Sequence, residues 1–155
     1  MGQQQLLLLV LGIVIVGLAV VVGIQAFGEN QKKANADAIT NDVIRIASDA
    51  QAWALKPTAF GGGNGSFGTT TAATQVTLAK LGYEISASKY RNLNGEYSLT
   101  FANTGGTAST NSTMVTIVGC SLRNKNTVTS EVKGSGPGDI TTVVAANNGT
   151  ACTAI

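Results

Sequence analysis

Histidine is absent from this chain of 155 residues, and charge is scarce, with lysine, arginine, aspartate and glutamate together making up 12%. Without imidazole, the commonest general base and the commonest metal ligand are both missing. Serine, aspartate and glutamate are present, but no motif sets a nucleophile beside a base. The glycine cluster GGGNG at residues 61–65 lacks the flanking strand, helix and Gly-Lys-Ser/Thr of a phosphate-binding loop, and it reads as a plain loop. The chain is therefore expected to be neither an enzyme nor a cofactor carrier. A formal net charge of +2 leaves no basic footprint for nucleic acid and no trap for acidic substrates. Aromatics are 5% of the chain, and Phe27 and Trp53 are the only ones before Pro57, which gives no stacked path for electrons.

Cysteine occurs twice, as Cys120 and Cys152. Two thiols without histidine do not make a zinc site. A bond between them would staple the last segment, ITTVVAANNGTACTAI, to the preceding strands; in the chain-entropy model a loop of about 30 residues contributes roughly 3–4 kcal/mol. Two reduced, partly buried thiols are the alternative. An apolar segment followed by a Thr- and Ser-rich domain fits the oxidised pair and an extracytoplasmic location.

What the chain has in abundance is an apolar run at its start, MGQQQLLLLVLGIVIVGLAVVVGI. Residues 6–24 carry no charge and no polar side chain. As a helix these roughly 19 positions reach about 28 Å, the thickness of a bilayer's hydrocarbon core. A secretory signal would show a basic start, a shorter apolar core and a small-residue cleavage site. None is present, so the run is expected to stay in the mature chain. It serves either as a membrane anchor or as a helix that leaves the membrane to be buried among copies of itself.

Beyond the run the period changes. In ENQKKANADAITNDVIRIASDAQAWALKP, residues Ala36, Ile39, Val43, Ile46, Ala50 and Trp53 recur at steps of three and four, one stripe of an α-helix. Asn35, Asp37, Asn41, Asp42, Arg45, Asp49 and Gln51 form the polar face, where Asp42 and Arg45 are spaced to pair at i, i+3. Pro57 predicts a stop near Leu55, and Gly28 is a possible break. An unbroken helix of about 50 residues would run some 80 Å.

The remainder predicts β structure. After TAFGGGNGSFGTTT, a loop, TQVTLAKLGYEI is ambiguous between helix and strand. EYSLTFAN places Tyr97, Leu99 and Phe101 on one face, STMVTIVGC is apolar on both faces and reads as central, and TVTSEV and ITTVVAA are two further strands. GSGPGD, Asn94-Gly95 and Thr104-Gly105-Gly106 are turns. The expected fold is α+β, a long N-terminal helix packed against an antiparallel sheet of about four strands. Ile39, Val43, Ile46, Ala50 and Trp53 form the helix side of the core. Asn64, Asn111 and Asn148 sit in N-glycan acceptor patterns that turn chemistry also explains, and Asp139 reads as a solvated carboxylate rather than a cation ligand.

This organisation resembles the type IV pilins and related filament subunits. The likeness is carried by QLLLLVLGIVIVGLAVVVGI, the amphipathic continuation to Trp53, the Gly-rich connection, the β-rich C-terminal part and the Cys120/Cys152 pair. It implies a prepilin held in the cytoplasmic membrane, processed by a prepilin peptidase and extracted by an assembly ATPase complex into an extracellular helical homopolymer. The filament core would then be built from Gln5, Leu6, Leu7, Leu8, Leu9, Val10 and Leu11, continuing through Gly12, Ile13, Val14, Ile15, Val16 and Gly17 to Leu18, Val20, Val21 and Ile24. The implied division is an apolar helix over 1–28, its amphipathic continuation over 29–56 and a β-rich head over 57–155. Where members usually keep a glutamate near the start of the helix this chain has Gln5, and its first acid is Glu29. The usual helix-interrupting proline is missing; Gly12, Gly17 and Gly23 either soften the helix or let neighbours approach closely. The rival expectation is a monomeric, membrane-anchored extracytoplasmic binding domain. Lys32 and Lys33 bias the end of the span weakly toward the cytoplasm, against both readings.

Overall fold

A computed structural model describes residues 2–68, 75–102, 114–122 and 124–145 of the chain. Its elements are one α-helix, α1 (Gly2–Leu55), a 3-10 turn at Thr58–Phe60, and six strands. These are β1 (Ile85–Ser86), β2 (Lys89–Arg91), β3 (Glu96–Ala102), β4 (Met114–Cys120), β5 (Thr127–Val132) and β6 (Ile140–Ala145). All neighbours are antiparallel and the order is β1-β2-β3-β4-β5-β6, a meander. The chain divides into two compact units, Met1–Ala34 and Asn35–Ile155. From Gly2 on, the first is helix; the second holds the rest of α1 and the sheet.

In the second unit the predicted stripe is the core. Ile39, Val43 and Ala50 are fully buried, and Ile46 and Trp53 nearly so, joined by Ala47 and Ala54. The stripe meets the face of the sheet that carries Tyr97, Val115, Ile117, Val128 and Val132, with Leu99 and Phe101 partly buried against it. β4 lies between β3 and β5, as its two-sided apolarity requires. Gly119 of β4 lets the helix come close: a Cβ there would lie 2.6 Å from Val43 Cγ2 and 2.7 Å from Ile39 Cγ2.

The sheet has six strands rather than about four, and the additions are β1 and β2. Their turn is made by Ala87 and Ser88, at φ 51° and 65°, so the Asn-Gly pair that usually marks such a two-residue turn is not there to be read. The ambiguous TQVTLAKLGYEI is neither helix nor a long strand. Its Val76 and Leu78 enter the core, hydrogen-bonded turns follow (Leu81 N–H to Thr77 O, Tyr83 N–H to Leu78 O), and only β1 lies near its end.

α1 stops at Leu55, where Pro57 predicted it, and runs unbroken through Gly28. The GGGNG loop closes the helix end. The last carbonyls of a helix have no partner within it; here Gly63 N–H reaches Trp53 O, Gly65 N–H reaches Ala54 O and Asn64 N–H reaches Lys56 O. A Cβ on Gly62 would collide with the Lys56 carbonyl, so the loop needs its glycine there. Asn64, exposed at φ 51°, is the described member of the three glycan acceptor patterns; Asn111 and Asn148 lie outside the described residues, as do Thr104-Gly105-Gly106 and Cys152. Cys120 is 3% exposed at the end of β4.

Replacing Gly119 with valine wedges a branched side chain between β4 and α1. The expected cost is about 1–3 kcal/mol, read as a lower melting temperature by circular dichroism, whereas Thr100→Val on the opposite face leaves melting within about 0.5 kcal/mol of wild type.

Candidate assembly surface

The first unit presents apolar side chains in every direction. Leu6, Leu7, Leu8, Leu9, Val10, Leu11, Ile13, Val14, Ile15, Val16, Leu18, Val20, Val21, Val22 and Ile24 are each between 51% and 69% exposed. A lone soluble helix shields one face; here none of the most apolar 18-residue window is buried, and its mean hydropathy is 3.2. The helix is long and apolar enough to cross a membrane by length and composition. Moving fifteen such side chains out of water is worth on the order of 20 kcal/mol, more than a typical domain's whole stability.

Every residue from Gln5 to Ile24 that the resemblance assigns to a filament core is exposed, and so are Val22 and Phe27, which that assignment leaves out. The signal for Val22 was the unbroken run itself. Gly12, Gly17 and Gly23 leave α1 continuous, and a Cβ at each would meet nothing within 4 Å. The chain's own packing does not require glycine there. At the polar end Lys32 Nζ lies 3.1 Å from Glu29 Oε1, an exposed pair of small energetic weight. Counting Glu29, Lys32 and Lys33 together, the local surplus is a single positive charge.

In the second unit the polar face of the helix does more than meet solvent. Asp42 does not pair directly with Arg45; its Oδ2 accepts hydrogen bonds from Asn94 Nδ2 at 2.8 Å, Tyr97 Oη at 2.6 Å and Asn92 Nδ2 at 2.9 Å. Asn92 Oδ1 in turn accepts the N–H groups of Asn94 and Gly95, fixing the turn between β2 and β3. Asn35 Nδ2 donates to Asn94 O. Two turns along, Asp49 Oδ2 accepts from Tyr83 Oη at 2.5 Å. Tyr83, Tyr90 and Tyr97 form a row with ring centroids 4.9 and 5.6 Å apart. Gln51 Nε2 donates to Gly134 O and Gly136 O, while Asp139, half-buried, accepts the Gly136 N–H. Sequence reasoning missed this clamp. The seven-residue spacing of Asp42 and Asp49 on the flank of the buried stripe was its only trace.

Burial works to raise the Asp42 pKa, but the bonds from Asn94, Tyr97 and Asn92 and the nearby Arg45 charge outweigh it and hold the carboxyl below its ordinary 3.8. Burial, followed by the bond to Asp49, pushes the Tyr83 phenol well above its usual range, and burial with Asp42 does the same to Tyr97. Glu96, 7% exposed, is held low chiefly by its bond to Lys89, with Arg91 second. Among the described residues no group of three or more potential metal ligands occurs.

No family model matches the chain, and no curated protein or solved structure is significantly similar to it. A long N-terminal apolar helix with a helix-packed antiparallel sheet is nonetheless compatible with a pilin-like fold.

A carboxyl whose folded pKa is depressed contributes stability that is present above its unfolded pKa and lost as pH falls through the folded one. Detergent-solubilised chain is therefore expected to melt progressively lower below about pH 4. Asp42→Asn should cost about 1–2 kcal/mol at pH 7, and its deficit against wild type should shrink in acid. Melting curves between pH 7 and pH 2.5 check this; a deficit independent of pH would contradict it.

Proposed function

We propose that the chain is the structural subunit of an extracellular, type IV pilus-like helical filament, held in the cytoplasmic membrane by residues 6–24 before assembly. The observation that supports this most is the uniform exposure of the apolar run. An anchor needs only to match lipid, but lipid and neighbouring helices are equally apolar, so a surface apolar on all sides also suits burial by many copies at once. Identical units joined head to tail make a heterologous, non-closing contact, which generates a helix. The amphipathic helix follows the span directly, with no flexible linker between. A monomeric anchored binding domain would do without that continuity.

On this reading the subunit's partners are its own copies, a processing peptidase and an ATP-driven assembly complex, and it performs no chemistry of its own. Cys120 and Cys152 are paired, holding the C-terminal segment to β4.

Leu9→Asp and Val14→Asp place a charge in the bundled core. Both are expected to abolish filaments in electron micrographs of sheared cells while the protein's circular dichroism keeps its sheet signal; normal filaments from either variant would refute the bundled core. Cys120→Ser should lower the melting temperature under non-reducing conditions by an amount equivalent to about 2–4 kcal/mol, and an unchanged curve would mean that the cysteines do not staple the fold.

A further inference from the structure

Gln3, Gln4, Gln5 and Gln25 are the only polar side chains among residues 2–28. All four are exposed, on a helix that is unbroken between them. Inside an apolar bundle each amide faces a strong demand: two N–H donors and a carbonyl oxygen with no water to satisfy them. A single buried amide fixes the register of packed helices for this reason.

The spacing specifies the register. Gln3 and Gln25 are 22 residues apart, which at 1.5 Å per residue is about 33 Å and about six full turns, returning the second amide to within about 40° of the first. Leu7, Val10, Val14 and Val21 lie on the line between them, so one face of α1 carries an amide at each end and only apolar side chains between. Resting on the filament reading above, we propose that neighbouring copies pack parallel with an axial stagger of about 33 Å, so that the Gln3 amide of one copy meets the Gln25 amide of the next.

Two other arrangements also pair amides, and each fails for a physical reason. Copies at the same level set Gln3 against Gln3, but a rotation without translation closes into a ring and does not elongate. Antiparallel copies set Gln3 against Gln25 twice over, which satisfies both and closes the pair. Single-pass chains inserted in one orientation do not present antiparallel helices to one another. The parallel stagger leaves one unsatisfied amide at each end of every pair, which is what a growing polymer requires.

The test is cross-linking of the full chain in assembled filaments with a short bifunctional maleimide. Gln3→Cys/Gln25→Cys is expected to give a ladder of trimers and higher species on denaturing gels, at least tenfold above either single variant; the single variants carry the same Cys120 and Cys152 and serve as the background. Should the double variant fail to assemble, co-expression of Gln3→Cys with Gln25→Cys is expected to give a mixed dimer. Strong dimers from Gln3→Cys alone would establish the level arrangement, and a double variant that stops at dimer would establish the antiparallel one. Either result overturns the stagger, as would filaments with no cross-link above background; whether filaments form is read separately, from micrographs of the same material. Absence of filaments from the wild-type chain would instead remove the reading on which the stagger rests.

Discussion

The constraint on which the molecule turns is the transfer free energy of residues 6–24. Fifteen large apolar side chains exposed all round a helix represent on the order of 20 kcal/mol of unfavourable contact with water, while a domain of this size is stabilised by roughly 5–15 kcal/mol in total. By length and composition this helix can cross a membrane, and on the reading proposed above lipid and then other copies cover the run.

In the second unit the same element changes role. From Asn35 onward, α1 becomes an ordinary amphipathic helix, buried along Ile39, Val43, Ile46, Ala50 and Trp53 and pinned along its flank by Asp42 and Asp49. The two acids act as acceptors for tyrosines and asparagines rather than as free surface charge. Three donors on one carboxylate oxygen stabilise the ion and orient the turn between β2 and β3, so a local hydrogen-bond network sets where the hairpin sits on the helix. Gly119 complements this by carrying no Cβ where one would lie within 3 Å of Val43 and Ile39 on the helix.

How much of this was legible in the sequence depends on whether the signal was periodic. The helix stripe, its end at Leu55 and the four long strands were readable because burial imposes a 3.6 or 2.0 period on side-chain character. β1 and β2 were not, being two and three residues long and joined through Ala87 and Ser88 rather than glycine. The clamp was hidden for a different reason. Asp42, Asp49, Tyr83 and Asn92 meet through tertiary contacts over separations of 34 to 50 residues, which no local pattern encodes. The GGGNG segment was legible as a loop but not as the cap of α1, since capping depends on where its N–H groups point.

The most direct test of the account is electron microscopy of material sheared from cells that express the chain, combined with intact-mass spectrometry of the sheared protein. Thin, uniform filaments composed of this one chain are the predicted result, because only polymerisation covers the apolar run outside the membrane. A chain found wholly in the membrane fraction, with no filaments in the sheared material, would contradict it and leave lipid as the cover for residues 6–24.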